Sequence, residues 1–245
     1  MKTNTQFKNE ALAALKGNWG RALLATLVYI ILACLIAGPT TYASIEMQNY
    51  VQEHIGNHAS ARTLNALLTD PAYQLLQSRA NSASGLTGLV QILVLVPFTL
   101  GYANALRRLL VSGDNEVLRN SVRIATDHYW HKVWGMLLAA IFTFLWTLLL
   151  VIPGIVKSFS YAMTKYILEE NPELSANEAI DRSRAMMRGH KFDLFWLYLS
   201  FIGWVILSII TCGIGFIWLV PYMETAEAAF YEEVKADYAA NGGLI

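Results

Sequence analysis

Lysine and arginine are banked beside the apolar runs of this chain, and that placement constrains the fold more than any motif. They crowd at 2–21, 107–132 and 182–191, whereas the polar stretch 40–85 carries only Arg62 and Arg79. Apolar segments with basic residues on alternate ends are the pattern of a multi-span membrane protein, because Lys and Arg stay on the cytoplasmic side. The chain is 55% hydrophobic and 15% charged, where a soluble domain is about a quarter charged. Its formal net charge is zero, so the charges act by position and nucleic acid is not expected as a partner. The length suits a single membrane domain, 1–245.

Phe7, Ala11, Ala14 and Leu15 recur at helical spacing among Lys2, Lys8 and Lys16. This predicts a short amphipathic helix lying at the inner membrane surface. Trp19 follows at headgroup level. Ala22 to Ala37 is expected as the first span, a retained anchor rather than a cleaved signal, ending at Gly38-Pro39. Residues 40–85 are expected as an extracytoplasmic helical loop insertion, with Asp70 capping a helix and Pro71 at its first position. Leu86 to Leu106 is the second span, with Pro97 inside it, and Ser112 to Lys132 a cytoplasmic linker. Val133 to Ile152 is the third span. Ser175 and Glu178 form a capping box that opens a basic helix. Leu194 to Val220 would run roughly 40 Å as one helix, against a hydrocarbon core of about 30 Å. It must tilt strongly or break, and Thr211 to Gly215 is the expected break. An acidic helical tail follows Pro221.

Charge placement also bears on the span count. If Gly154 to Leu168 stayed outside, Arg182, Arg184, Arg188 and Lys191 would lie outside too, against the positive-inside bias. The chain is therefore expected to return after Pro153, through a helix of only about 22 Å. The Val-Pro or Ile-Pro steps at Pro97, Pro153 and Pro221, each followed by an Ala/aromatic helix, suggest an internal repeat. The expected fold is all-α: a polytopic transmembrane helical bundle of about six membrane helices, as three Pro-broken hairpins with amphipathic surface helices. Four full spans plus two partial helices is the alternative.

Ionisable residues at membrane depth are costly and often functional. Lys157, Lys165, Glu224 and Glu227 are the candidates here. Lys157 and Glu224 sit at similar places after their prolines, so they form a candidate intramembrane charge pair, and snorkelling to an interface is the simpler reading. Arg182, Arg184, Arg188, His190 and Lys191 form a candidate headgroup-binding or partner-binding helix, with topology determination as the simpler role. Asp181 can pair with Arg184 on one face, Ser183 can add a hydrogen bond, and Gly189 would let the chain bend. Lys132 enters only as part of the basic bank before the third span. His54 with His58, and His128 with His131, have spacings that could share a metal, but interfacial polar residues explain them more simply. Cys34 and Cys212 read as small buried packing residues. No zinc motif, nucleophile elbow or phosphate-cradling loop occurs. No catalytic, metal or cofactor-binding residue is assigned, and no cofactor is expected.

The stretch 148–231 resembles a known family. The matching pieces are Leu-Leu-Leu-Val-Ile-Pro-Gly-Ile-Val-Lys at 148–157, Ser-Tyr-Ala-Met at 160–163 and Asn-Glu-Ala-Ile at 177–180. Further ones are Ser-Arg-Ala-Met-Met-Arg-Gly-His-Lys at 183–191, Leu-Ser-Phe-Ile-Gly-Trp at 199–204, Pro-Tyr at 221–222 and Phe-Tyr at 230–231. These pieces resemble the uncharacterised bacterial integral-membrane family known as domain of unknown function 975. The N-terminal third matches it in layout only, and its outer loop and following span are similar to a second uncharacterised group of bacterial inner-membrane proteins. The resemblance implies a multi-pass protein of the bacterial plasma membrane and supplies no activity.

Three functions stay open on the residues. The favoured one is a non-enzymatic membrane or envelope organising protein that binds partners. Its partners would be membrane lipids, anionic headgroups among them, and membrane proteins or further copies of itself, with both chain ends cytoplasmic. The second is a small-molecule or lipid transporter. The third is a lipid-modifying membrane enzyme, for which no convergent set of His, Asp or Ser is evident.

Overall fold

Capping residues and left-handed glycines such as Gly189 and Gly213 cut much of the apolar sequence into helices joined by short turns. The computed structural model describes residues 1–55 and 61–243, with the backbone alone at 61–63. Among the described residues all regular structure is helical. In chain order it is α1 Asn4–Leu15, α2 Trp19–Ile55, α3 Ala61–Thr69, α4 Pro71–Val90, a π-helical turn Gln91–Leu95, α5 Val96–Ser112 and α6 Val117–Thr126. Then come α7 Tyr129–Leu149, α8 Val151–Tyr161, α9 Thr164–Glu170, α10 Ala176–Met186, α11 Lys191–Leu199, α12 Ile202–Ile210 and α13 Phe216–Ala240. The helices form two compact units, one from 1–29 and 96–245 and the other from 30–95.

In the larger unit, α1 opens on a capping box between Thr3 and Gln6. Its apolar face is Phe7, Ala11 and Leu15, all fully buried. Phe7 meets Phe230 of α13 with ring centroids 5.5 Å apart. The surface helix expected on the membrane is thus packed into its own bundle, against α13 and α5. Three apolar residues make a narrow stripe, and a neighbouring helix covers it.

The expected linker 112–132 is also built in. Within α6, Val117, Asn120, Ser121, Ile124 and Ala125 are buried. Gly101 of α5 permits this approach, since a Cβ there would lie 2.2 Å from the Ser121 carbonyl oxygen.

Two helical hairpins follow. The first joins α7 to α8 through one extended residue, Leu150. The third span therefore stops at Leu149 rather than Ile152. Pro153 falls in the first turn of α8, where its missing N–H leaves no broken bond. The hairpin closes tightly at Gly154, where a Cβ would sit 2.6 Å from Thr147 Cα. The second hairpin joins α11 and α12 to α13. The capping box of α10 forms as expected, with Ser175 and Glu178 satisfying each other's backbone N–H. Gly189 then takes φ +87° between α10 and α11. The long apolar run breaks twice, at Ser200-Phe201 and at 211–215, where Cys212 has φ +53° and Gly213 φ +88°. Cys34 and Cys212 are both exposed on apolar surface rather than buried in packing.

In both hairpins the base is packed and the tip is bare. Val133, Gly135 and Ala139 of α7 are buried, whereas Leu148 is 74% exposed and Ile152 75%. Likewise Leu194 and Leu197 are buried while Ile210 is 71% exposed. The acidic segment after Pro221 is no free tail. It continues α13 back into the core, where Ala226, Ala228, Phe230 and Val234 are fully buried.

The smaller unit holds the rest of α2, α3, α4 and the π-helical turn. The first apolar helix does not stop at Gly38-Pro39 but runs on to Ile55. Just after the proline, the hydroxyls of Thr40 and Thr87 meet at 2.5 Å, and Thr40 also donates to the Ala83 carbonyl at 3.3 Å. Asp70 caps α4 by accepting from Ala72 N at 2.8 Å, with Pro71 at the first helical position. The Tyr50 hydroxyl donates to Asp70 at 2.5 Å. The π-helical turn ends just before Pro97, whose ring would clash with the carbonyl four residues back in a regular helix.

Among the described residues, and taking α4 with α5 and α11 with α12 as continuous rods, four helical stretches are long and apolar enough to cross a membrane: Trp19–Ile55, Pro71–Ser112, Tyr129–Leu149 and Lys191–Ile210. Only 17–22% of their most apolar windows is buried, so most of that surface faces outward. The return helices that would raise the number to six are not among these four. The helix α8 has 11 residues, and α13 carries acids along its second half.

Candidate functional site

The short helix α9 carries the most densely bonded ionisable residues of the larger unit. Thr164, Tyr166, Ile167 and Leu168 are buried, which leaves Lys165, Glu169 and Glu170 to meet other helices. The Lys165 ammonium reaches Glu224 at 2.9 Å and Glu227 at 3.1 Å. These two carboxylates are three apart on α13 and so share a face. The Tyr198 hydroxyl of α11 donates to Glu227 at 2.7 Å. Asn104 of α5 donates its amide to the Lys165 carbonyl at 2.8 Å.

One turn further along, adjacent arginines of α5 diverge to adjacent glutamates of α9. Arg107 meets Glu170 at 2.7 Å and Glu232 of α13 at 2.6 Å. Arg108 meets Glu169 at 2.7 Å, and the almost fully buried Lys132 of α7 reaches the same carboxylate at 2.5 Å. Lys132 also donates to the Ile124 carbonyl, which closes the last turn of α6 against α7. Lys235 pairs with Glu170 at 2.7 Å, and the Tyr231 hydroxyl donates to it as well. Burial pushes the Glu170 carboxyl up. Hydrogen bonds from Lys235 and Tyr231 and the Arg107 charge outweigh that and hold it below its ordinary value. The result is an interhelical lock joining α5, α7, α9, α11 and α13.

Beside the lock, Asn104 Oδ1, Thr164 Oγ1 and the Tyr166 hydroxyl are buried with no hydrogen-bond partner among the described residues. Tyr166 stacks on Tyr231 with centroids 4.6 Å apart.

A pocket of about 340 Å³ opens between α7, α8 and α10. Phe142, Trp146 and Tyr161 form its apolar walls, and Lys157, Asp181 and Arg184 its polar ones. Lys157 lies 4.6 Å from the Trp146 ring centroid. Arg184 holds Asp181 at 2.6 Å. The Ser183 hydroxyl donates to the Ser160 carbonyl at 2.8 Å, which fixes α10 against α8.

These positions rearrange the sequence candidates. Lys157 and Glu224 are not brought together. Glu224 takes Lys165, and Lys157 lies over Trp146, because α9 rather than α8 faces the acidic side of α13. The five basic residues make different contacts. Arg182 donates to Asn171 at 3.2 Å, and His190 contacts Asp237 at 3.1 Å and Asp193 at 3.5 Å. Arg184 joins the pocket, Arg188 is exposed and Lys191 is half-buried.

His128 sits 3.1 Å from Asp127 at the surface, His54 stacks on Tyr50, and His58 lies outside the described residues. Among the described residues no group of three or more His, Cys, Asp or Glu could hold a metal ion. The bonding roles of Arg107, Arg108, Lys132, Glu169, Glu170, Glu232 and Lys235 were missed. Their signals were the paired doublets Arg107-Arg108 and Glu169-Glu170, and the four-residue spacing of Glu227, Tyr231 and Lys235.

No curated protein and no solved structure matches the chain. A family match does run over residues 1–238, so it takes in the N-terminal third and the helices of the smaller unit as well as the stretch that carried the resemblance. The chain therefore belongs to the family described as "Protein of unknown function (DUF975)".

Proposed function

We propose that this chain is an integral protein of the bacterial plasma membrane that organises membrane or envelope components by binding lipids and partner proteins, and is not an enzyme. The observation that carries this reading is the lock around α9. Glu169, Glu170, Glu224 and Glu227 each pair with a cation from another helix. Partly buried charges committed in this way hold helices in register rather than await a substrate. In this reading the bare hairpin tips enter the bilayer and α8 and α13 return, which gives six membrane helices with both ends cytoplasmic. Residues 40–85 then form an extracytoplasmic insertion, and α2 is longer than the bilayer needs: its 37 residues run about 55 Å. The natural partners are membrane lipids with anionic headgroups and membrane proteins, other copies of this chain included.

The direct test is gentle extraction followed by mass spectrometry of what copurifies. Recovery of a recurrent lipid or protein in fixed proportion supports the proposal, and a bare chain at every detergent strength refutes it. A reporter fused after Ile245 should be active only on the cytoplasmic side.

A second reading, a transporter, is favoured by one observation. A single ammonium, Lys165, is shared by two carboxylates beside the unpartnered Thr164, Tyr166 and Asn104 oxygens. Buried charges inside a small bundle suit ion-coupled transport. Flux in reconstituted vesicles that vanished in Glu224→Gln would place this reading first.

A further inference from the structure

We propose that the pocket between α7, α8 and α10 binds the phosphate headgroup of an anionic phospholipid, with its acyl chains laid along the aromatic wall of α7. This deepens the function proposed above and rests on its reading that the α7–α8 hairpin enters the bilayer.

The argument starts from charge. The pocket lining holds two cations, Lys157 and Arg184, and one carboxylate, Asp181. Asp181 is committed to Arg184 through a single guanidinium nitrogen. Lys157 has no carboxylate within ion-pair reach among the described residues. Instead it lies 4.6 Å from the Trp146 ring centroid, in the same pocket as Arg184. An amino group with only an indole face as its contact is an unfilled half of an interaction. A phosphate between Lys157 and Arg184 would complete it, since guanidinium and ammonium both donate to phosphate oxygens.

The second argument is the shape of the polarity. The walls are polar on the α10 side, where Asp181 and Arg184 sit, and aromatic on the α7 side, where Phe142 and Trp146 sit. On α7 and α8, Leu145, Leu149 and Val156 are also exposed. A free anion would use only the polar half. A phospholipid uses both, with the indole placed where a headgroup meets its chains. The volume falls in the range of ordinary ligand sites.

The test uses the full chain purified in mild detergent and offered phosphatidylglycerol, phosphatidylcholine or inorganic phosphate, with adducts counted by native mass spectrometry. Phosphatidylglycerol should be retained in preference to phosphatidylcholine. Retention should fall by about tenfold or more in the double variant Lys157→Gln, Arg184→Gln, given what two cations contribute beside an anionic lipid. Lys16→Gln with Arg21→Gln should leave it unchanged. Asp181→Asn, which removes the local negative charge, should raise it, and this gain keeps the proposal testable should the double variant fold poorly.

Equal retention of the two lipids, or a double variant that holds phosphatidylglycerol as well as the parent does, would overturn the proposal. So would adducts of inorganic phosphate that compete the lipid away. Carbonate washing of membranes separates the two levels. A chain that washes off refutes the membrane reading itself, whereas one that stays yet shows no lipid preference refutes the pocket alone.

Discussion

Glu224 of α13 pairs with Lys165 of α9 at 2.9 Å, although Lys157 stands in the matching place after its own proline. The partner is set by which helix faces the acidic side of α13. That side also carries Glu227, which Lys165 reaches at 3.1 Å. The two lysines should therefore behave differently.

Lys165→Met leaves the buried Glu227 and the half-buried Glu224 without their cation. Removing one partner of a buried pair costs about 3–5 kcal/mol. The melting temperature of the detergent-purified protein should drop sharply. Lys157→Ala removes only a contact with an indole face and should leave the melting temperature close to that of the parent. A larger drop for Lys157→Ala than for Lys165→Met would reverse the assignment of the lock.

Glu170 should show itself in the pH dependence of stability. Its folded value lies below the ordinary 4.5. A carboxyl depressed by folding adds stability that is fully present above the unfolded value and is lost as pH falls through the folded one. The Glu170→Gln variant should thus melt below the parent at neutral pH. The gap should narrow as the pH drops below about 4.5. Thermal melts at several pH values check this, and a gap that widened in acid would contradict the sign.

Gly154 sets how closely α7 and α8 approach. Valine there would push a Cβ to within 2.6 Å of Thr147 Cα, which is backbone and has no rotamer to give. Overpacking of this kind costs about 1–3 kcal/mol. Gly154→Val should loosen the hairpin and speed limited proteolysis at its already exposed 149–152 turn in detergent, while substitution at Gly203, where a Cβ meets nothing, should not.

Phe7 decides whether α1 belongs to the bundle or to the membrane surface. Its ring is fully buried against Phe230. Phe7→Ala should lower stability by about 3–5 kcal/mol, as large-to-small changes at buried aromatics do, and should leave the chain in the membrane fraction. Lower membrane retention with an unchanged melting temperature would mean that α1 is a surface anchor after all.

Local chemistry was legible in the residues. The capping box at Ser175, the Asp70-Pro71 helix start, the turn at 211–215 and the bend at Gly189 all depend on neighbours within a few positions, and all form. The apolar runs and their basic flanks gave the helical class by the same logic, because the length of a run and the charges beside it are properties of the chain itself.

What tertiary structure alone decided was pairing. Pro39 reads as a stop, yet the helix continues to Ile55, because one lost hydrogen bond is a small fraction of what a 37-residue helix retains. Phe7 reads as lipid-facing and is buried by Phe230. Lys157 reads as the partner of Glu224 and gives way to Lys165. In the last two cases the outcome depends on the rotation of one helix against another, which residue spacing along a single helix does not specify. The sequence by itself determined that apolar helices with cationic flanks form and where the strongest local signals, such as 211–215 and Gly189, interrupt them. Only packing determined which faces meet, since burial and ion pairing reward the arrangement that satisfies all the helices at once.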